Sequence, residues 1–398
     1  MKVVHIMGSV VFRKKNLSTM APSWAGLFDH PHRATFFRSL DGVILGVTIV
    51  LALGGLIAVF SASGYTANVR FESSTTLFFL RQAIWLAIGF SALFFIARID
   101  YTVIQPYIPR LLLGCLALLG VVLVAGVENN GARRWIHLSW FSMQPGELSK
   151  LVVVLYLAQY VSKAEHRMTK WQNGLLQPVC VVGLFSLLLV FEDFGTPVVL
   201  GLVLFGMLYI AGARVLHLAM MALMVIPPSV WLIARSPERL ERLSSFLHPE
   251  ADPLGAGHQL LQSFLAFSNG GVFGQGLGLG GQKRGFLPEA HTDFVLALIG
   301  EELGFVGTVC FLGLFIVLLL KGFRVAAQAP DMFGRYLALG VTLLLGIQVL
   351  MNAGVVSGLL PTKGLTLPFV SYGGSSLVTS LMAIGVLLSV ARQRVGKV

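Results

Sequence analysis

Apolar residues in this chain come in long unbroken runs rather than at the alternating or three-to-four-residue spacing of half-buried elements. Ten runs are legible, at about 40–62, 76–97, 107–127, 148–162, 174–191, 196–212, 216–234, 294–320, 336–357 and 374–391. A helix needs about 20 mostly apolar residues to cross a bilayer, so each run predicts a spanning helix. The fourth is short and the eighth long. Only Glu192, Asp193, Phe194 and Gly195 part the fifth from the sixth, which predicts a tight helical hairpin. The expected fold class is all-α, a polytopic membrane protein with ten transmembrane helices. The expected organisation is a tail over 1–39, a ten-helix membrane domain over 40–391 and a short tail over 392–398.

Composition sharpens this. Hydrophobic residues make up 56% of the 398 and charged residues 12%, about half the usual ~25% of soluble domains. Mean hydropathy is +0.80. A soluble protein of this balance would expose large apolar patches, so soluble, collagen-like and disulfide-scaffold classes are excluded. Cys115, Cys180 and Cys310 lie within apolar runs and read as small core hydrophobes. The net charge of +11 would suggest nucleic acid in a soluble protein. Here it is a topology signal: the tails and the loops near 98–110, 163–170, 214 and 321–335 hold 18 of the 29 Lys and Arg. Lys and Arg accumulate on the cytoplasmic side, so both termini are expected there. The N-terminal stretch lacks the apolar core of a cleavable signal peptide.

The long connections then fall outside, at 128–147, 235–293 (a large loop between spans 7 and 8) and 358–373. Long connections on a rigid scaffold are where chemistry concentrates. In the first loop, Arg133 and Arg134 lie beside Trp135 and Trp140, and Lys150 begins the fourth span. The tryptophans suit an interfacial belt, whereas an ammonium at a span's start must snorkel, pair or face a polar cavity. The large loop carries glycines at 270, 271, 274, 276, 278, 280 and 281. No P-loop lysine follows, so a tightly packed connection fits better than a phosphate cradle. Lys283, Arg284, Glu289, His291 and Asp293 form the densest ionisable cluster. On a helix, Glu289 and Asp293 would share a face, raising the pKa of one towards that of a general acid or base. A metal on His291 and Asp293, or a solvated helix start, are the alternatives. Glu301 and Glu302 lie inside the eighth span, where carboxylates need partners or a cavity. The third loop, with Lys363 as its only charge, has two prolines and paired glycines, which predict non-helical backbone dipping towards the bilayer. Cations and carboxylates on one membrane face suit an anionic, membrane-held substrate, either transported or reacted.

Four segments carry a resemblance. They are NGARRWI with QPGELSK over 130–150, DFGT at 193–196, GGVFGQGLG with LPEAHTDF over 270–294, and LPTKGLTLPFVSYGGSS at 360–376. In this order they resemble the family of shape, elongation, division and sporulation proteins, FtsW, RodA and SpoVE. The Pro-Thr-Lys-Gly-Leu-Thr and Glu-Ala-His-Thr-Asp wording is closer to the division branch, FtsW. Glu192-Asp193-Phe194 departs from the family's usual Pro-Asp-Leu.

The resemblance implies a peptidoglycan glycosyltransferase that polymerises lipid II into β-1,4 glycan during septal wall synthesis. Lipid II is a disaccharide-pentapeptide on undecaprenyl pyrophosphate. The family's base is the aspartate of His-Thr-Asp, here Asp293, with Glu289 able to tune it. Arg134, Lys150 and Lys363 would stabilise the leaving pyrophosphate, with Trp135, His291 and Ser371 as further substrate contacts. No Asp-x-Asp metal motif is present, so a divalent cation (Mg or Mn) stays an open requirement. The implied partners are a class B penicillin-binding protein transpeptidase and other division proteins, at the septal cytoplasmic membrane. The rivals are a lipid II flippase, which Glu301 and Glu302 keep open, a RodA-like elongation polymerase, and a non-catalytic division scaffold.

Overall fold

The computed structural model describes residues 40–70, 76–129, 132–138, 141–190, 193–255, 257–282, 287 and 290–395. Each of the ten apolar runs is helical. In order these are α1 (Gly42–Arg70), α2 (Thr76–Arg98), α3 (Ile108–Ala125, entered through the turn Tyr101–Ile104), α4 (Pro145–Ala164), α5 (Leu176–Leu189), α6 (Gly195–Ile210) and α7 (Val215–Ala234). Two further helices, α8 (Pro237–Leu247) and α9 (His258–Gly270), precede α10 (Val295–Ala327), α11 (Met332–Val356) and α12 (Gly374–Val395).

Among the described residues, eight helices are long and apolar enough to cross a membrane, so this is a multi-pass membrane protein. The remaining two runs are α4 and α6. The 16 residues of α6 rise only ~24 Å, at about 1.5 Å each. α4 begins with the buried pair Glu147 and Lys150, and its residues from Leu151 to Ala158 are all buried. It packs on α3, α6, α11 and α12, so it meets protein on every side. α11 and α12 are also central, with 72% and 78% of their apolar windows buried against 11% for α7.

The first long loop adds a small antiparallel sheet, β1 (Val127–Asn129), β2 (Ala132–Leu138) and β3 (Phe141–Met143), in the order β1-β2-β3. The large connection over 235–293 is not structureless, since it holds α8 and α9. α9 lies against α10 and buries Leu260, Ser263, Ala266 and Gly270 at helical spacing. Cys180 and Cys310 are exposed on helix flanks, and only Cys115 is a core hydrophobe.

The eighth run is corrected most. α10 is broken at Gly304 (φ 70°, ψ −170°) rather than continuous. Glycine-rich backbone fills the break. Gln275 N–H and Gly276 N–H donate to the carbonyls of Glu301 and Glu302, both at 3.0 Å. Phe305 N–H and Val306 N–H donate to the carbonyls of Gly271 and Val272, at 2.9 and 3.1 Å. The loop thus takes up backbone groups that an unbroken helix would have paired internally. The Glu301 carboxylate serves the same joint, accepting from Gly281 N–H (2.9 Å) and Gln282 N–H (3.2 Å), whereas Glu302 accepts from the Ser61 hydroxyl on α1.

Between α11 and α12 the backbone is non-helical but enclosed, with Leu365, Leu367, Phe369 and Val370 buried. The backbone of Val370 lies so close to Gly55 on α1 that a Cβ there would come within 2.5 Å of its Cα.

Candidate active site

Asp293 ends the turn that leads into α10, and three polar contacts tie that turn to the 358–373 connection. The Asn352 side-chain amide, buried in α11, donates to the main-chain carbonyls of Asp293 (2.9 Å) and Leu365 (2.6 Å). Tyr372 N–H donates to the His291 carbonyl at 2.8 Å. The Asp293 carboxylate therefore lies against the Lys363–Gly364 backbone: a Cβ on Gly364 would sit 2.8 Å from Asp293 Oδ2. His291 completes an edge-to-face triangle with Phe78 and Tyr372, with ring centroids 5.5 to 5.9 Å apart. Arg81 on α2 reaches the Tyr372 hydroxyl, and Gln82 donates to the Ser371 carbonyl at 3.3 Å.

The Lys363 side chain leads to a second cluster. Its ammonium lies 3.6 Å from the centre of the Phe194 ring and has no hydrogen-bond partner among the described residues. Phe194 follows Asp193 in the tight α5–α6 turn. Asp193 accepts from Gly195 N–H (2.9 Å) and from the Thr196 hydroxyl (2.6 Å), so this carboxylate organises the start of α6. Burial lowers the Lys363 pKa from 10.5 to about 6; Asp193 opposes the shift, while Arg239, Arg242 and Arg134 add to it. β2 brings Arg134 here. Arg134, Gln144, Gly146 and Asp193 are among the residues lining a cavity of about 20 Å³, room for one water. Arg134 Nε is buried without a hydrogen-bond partner among the described residues. Trp135, next along β2, is half-buried.

The depressed Lys363 pKa sets a pH expectation. The unfolded chain binds the proton more tightly between about pH 6 and 10.5, so this residue makes stability rise with pH across that window. Lys363→Met should flatten that rise in detergent-solubilised protein, measured as thermal midpoint against pH; an unaltered profile would refute it.

Other expected residues are placed differently. Lys150 is buried and ion-paired with Glu147 at 2.8 Å one turn away on α4, so its charge is already compensated. Ser371 is buried, and its hydroxyl accepts from Leu367 N–H at 2.8 Å, closing a turn of the connection. Glu289, Lys283, Arg284 and Trp140 lie outside the described residues, as does the side chain of Arg133. Among the described residues, no three His, Cys, Asp or Glu side chains converge as a metal cradle. Asn352, Phe194, Arg239 and Arg242 were not singled out from sequence. Asn352 had a signal, an amide deep in an apolar run, which needs partners there.

Comparison with known proteins follows the same segments. The family described as cell cycle protein, FtsW/RodA/SpoVE, matches residues 42–396. A probable peptidoglycan glycosyltransferase FtsW of Geobacter metallireducens is 42% identical over 359 residues, 89% of this chain and 96% of the relative. Stage V sporulation protein E of Bacillus subtilis is 42% identical over 357 residues, 89% and 97% of the two chains. Among solved structures, one chain belongs to work on the coordination of polymerization and crosslinking by a peptidoglycan synthase complex. It superposes with a TM-score of 0.73 at 30% identity, over 89% of this chain and 98% of that one. The rod shape determining protein RodA of Thermus thermophilus gives a TM-score of 0.65 at 28% identity, over 89% and 97%.

Proposed function

The chain belongs to the FtsW/RodA/SpoVE family of cell cycle proteins, and from that premise we propose that it is a peptidoglycan glycosyltransferase polymerising lipid II at the division septum. One observation carries the reading: the Asp293 carboxylate and the Lys363 cluster adjoin the same two-residue stretch, Lys363–Gly364. A base and a cationic pocket are thereby fixed relative to each other, as glycosyl transfer from a lipid diphosphate requires.

In this mechanism the acceptor sugar's 4-hydroxyl attacks the donor's anomeric carbon while Asp293 takes the hydroxyl proton. The bond to the lipid diphosphate breaks on the opposite side, so the α-linked donor becomes a β-1,4 linkage without a covalent enzyme intermediate. Charge developing on the leaving diphosphate is met by Arg134 and Lys363. An arriving anion opposes the effect of burial on Lys363 and favours its charged form. Mg²⁺ or Mn²⁺ dependence is read by adding either ion, or a chelator, to the assay below.

Full-length protein, alone and with a class B penicillin-binding protein transpeptidase, is to be reconstituted in liposomes and given labelled lipid II. Glycan polymer is the expected product. Lipid II appearing in the opposite leaflet without polymer would replace the enzyme with a flippase. Glu301 accepts from the glycine-rich loop and Glu302 from Ser61 on α1, and these structural roles for both carboxylates support the enzyme over the flippase. The described subject of the synthase complex supports a crosslinking partner for this chain.

The same reading has α4 and α6 complete ten crossings of the cytoplasmic membrane, with both termini inside. A periplasm-active reporter near Pro253 should then be on and one at Val398 off; the reverse would overturn the orientation.

A further inference from the structure

We propose that the open cavity between α8 and α9 is the site for the peptide of lipid II, with Glu238 and Glu241 taking its ammonium and Arg242 its terminal carboxylate. This deepens the reading of the chain as a lipid II polymerase and rests on it.

The cavity measures about 440 Å³, within the ~300–1,000 Å³ usual for ligand sites. α8 lines it with Glu238, Glu241 and Arg242, the start of α9 with His258 and Gln259, and the 358–373 connection with Thr362. Positions 238, 241 and 242 lie three and four apart, so the three charges share one face of α8. Glu238 and Arg242 have the spacing of a helical ion pair, and all three side chains are exposed. Yet none of the three is in an ion pair among the described residues. Neighbouring carboxylates repel each other and gain from a cation between them.

Thr362 is a second and independent sign of a ligand. It is buried, it lines the cavity, and its hydroxyl makes no hydrogen bond to another described residue. A buried hydroxyl without a protein partner is left to a ligand or to water. The charged face of α8 is also held in place without using its charges. Arg239 does this, its guanidinium donating to the Val190 carbonyl at 2.9 Å beside the Phe194 ring.

The peptide of lipid II fits this lining chemically. A peptide that is to be crosslinked must offer a free amine as nucleophile, and it ends in a carboxylate, so it carries both signs of charge. The cavity presents both in return. One sugar ring of lipid II bears the diphosphate and the peptide together, so the two must be bound close to each other. Thr362 is the neighbour of Lys363, which is assigned to the diphosphate, and the cavity therefore opens where the peptide would leave the sugar.

The test is binding of labelled lipid II to the full-length protein in nanodiscs. Two modified forms are measured beside it, one acetylated on the peptide amine and one whose peptide ends in an amide. Glu238→Gln combined with Glu241→Gln should weaken lipid II binding about 5-fold, the scale of exposed ion pairs. The same variant should change binding of the acetylated form less than about 2-fold. Arg242→Gln should weaken lipid II binding about 3-fold and leave the amide form within about 2-fold. The thermal midpoint should stay the same in both variants, because none of these side chains is ion-paired. Equal losses for lipid II and its modified forms, or no loss in either variant, would overturn the peptide site. Polymerisation by the same proteins keeps the two readings apart. Polymer with unchanged affinity in the variants sinks the peptide site and leaves the polymerase standing. No polymer from the unaltered protein, with the charge-specific losses intact, sinks the polymerase and leaves a lipid II-binding cavity.

Discussion

Asp293→Asn is expected to lower the polymerisation rate by about 10²- to 10⁴-fold, the contribution of a positioned general base, while leaving the protein folded. The separation of the two effects follows from how this turn is held. Asn352 binds the main-chain carbonyl of Asp293, and Tyr372 binds that of His291. Neither bond uses the carboxylate. Asparagine has the same shape, so the contact with Gly364 survives while the capacity to accept a proton is lost. Donor affinity should move little, because the cations assigned to the diphosphate sit on the Lys363 side of the connection. The measurement is single-turnover polymerisation of labelled lipid II with the thermal midpoint recorded in parallel. Undiminished polymerisation would remove Asp293 from the mechanism, and it is the result that a non-catalytic scaffold with a contaminating polymerase would also give.

Gly304→Ala is expected to be among the most destabilising single methyl additions in the chain, by at least about 3 kcal/mol. Two costs combine. A non-glycine residue at φ 70° carries a steric penalty of its own. The new Cβ would also lie 2.2 Å from Gly274 N and 2.6 Å from the carbonyl carbon of Phe273. Both are backbone atoms and cannot rotate away. The joint would have to open, giving up the four loop-to-helix hydrogen bonds between 271–276 and 301–306. Gly313→Ala, on the same helix, is the control, because nothing lies within 4 Å of its Cβ position. It should be neutral or stabilise the helix by up to about 1 kcal/mol. Comparable folded yield and thermal midpoint for the two variants would show that the break at Gly304 is not required. If Gly304→Ala does fold, its activity becomes informative, since Asp293 stands at the N-terminal end of the half-helix that the break sets off.

Helix positions were legible in sequence because a bilayer imposes a local rule. A run such as 336–357 must be apolar over the thickness of the hydrocarbon whatever its neighbours are. The kink in the eighth run was not legible. Glu301 and Glu302 interrupt its hydropathy without marking a break, and glycine is tolerated within helices, so only the arrival of the 271–276 backbone reveals why residue 304 must be one. The β1–β3 sheet was missed for the opposite reason: β1 and β3 have three residues each, too few to show a period, and β2 had no legible partner.

The site divides along the same line. The residue types required were readable from the loops: Asp293, Lys363 and Arg134 are polar groups beside apolar runs, where ionisable residues need a purpose. Which of them act together was not. Lys150 looked equivalent to Lys363 along the chain, yet one turn of helix hands it to Glu147, whereas Lys363 reaches across to Phe194. Asn352 and Asp293 are 59 positions apart, and their bond exists because α11 packs against α10.

By itself, then, the sequence determined a multi-pass helical membrane protein, its family and the chemical inventory of its loops, because each of those depends on local composition and spacing. The tertiary structure decided which charges are neutralised, where a spanning helix breaks and which side chains surround the base. Those outcomes depend on distances between residues that are remote along the chain, and apolar periodicity holds no record of them.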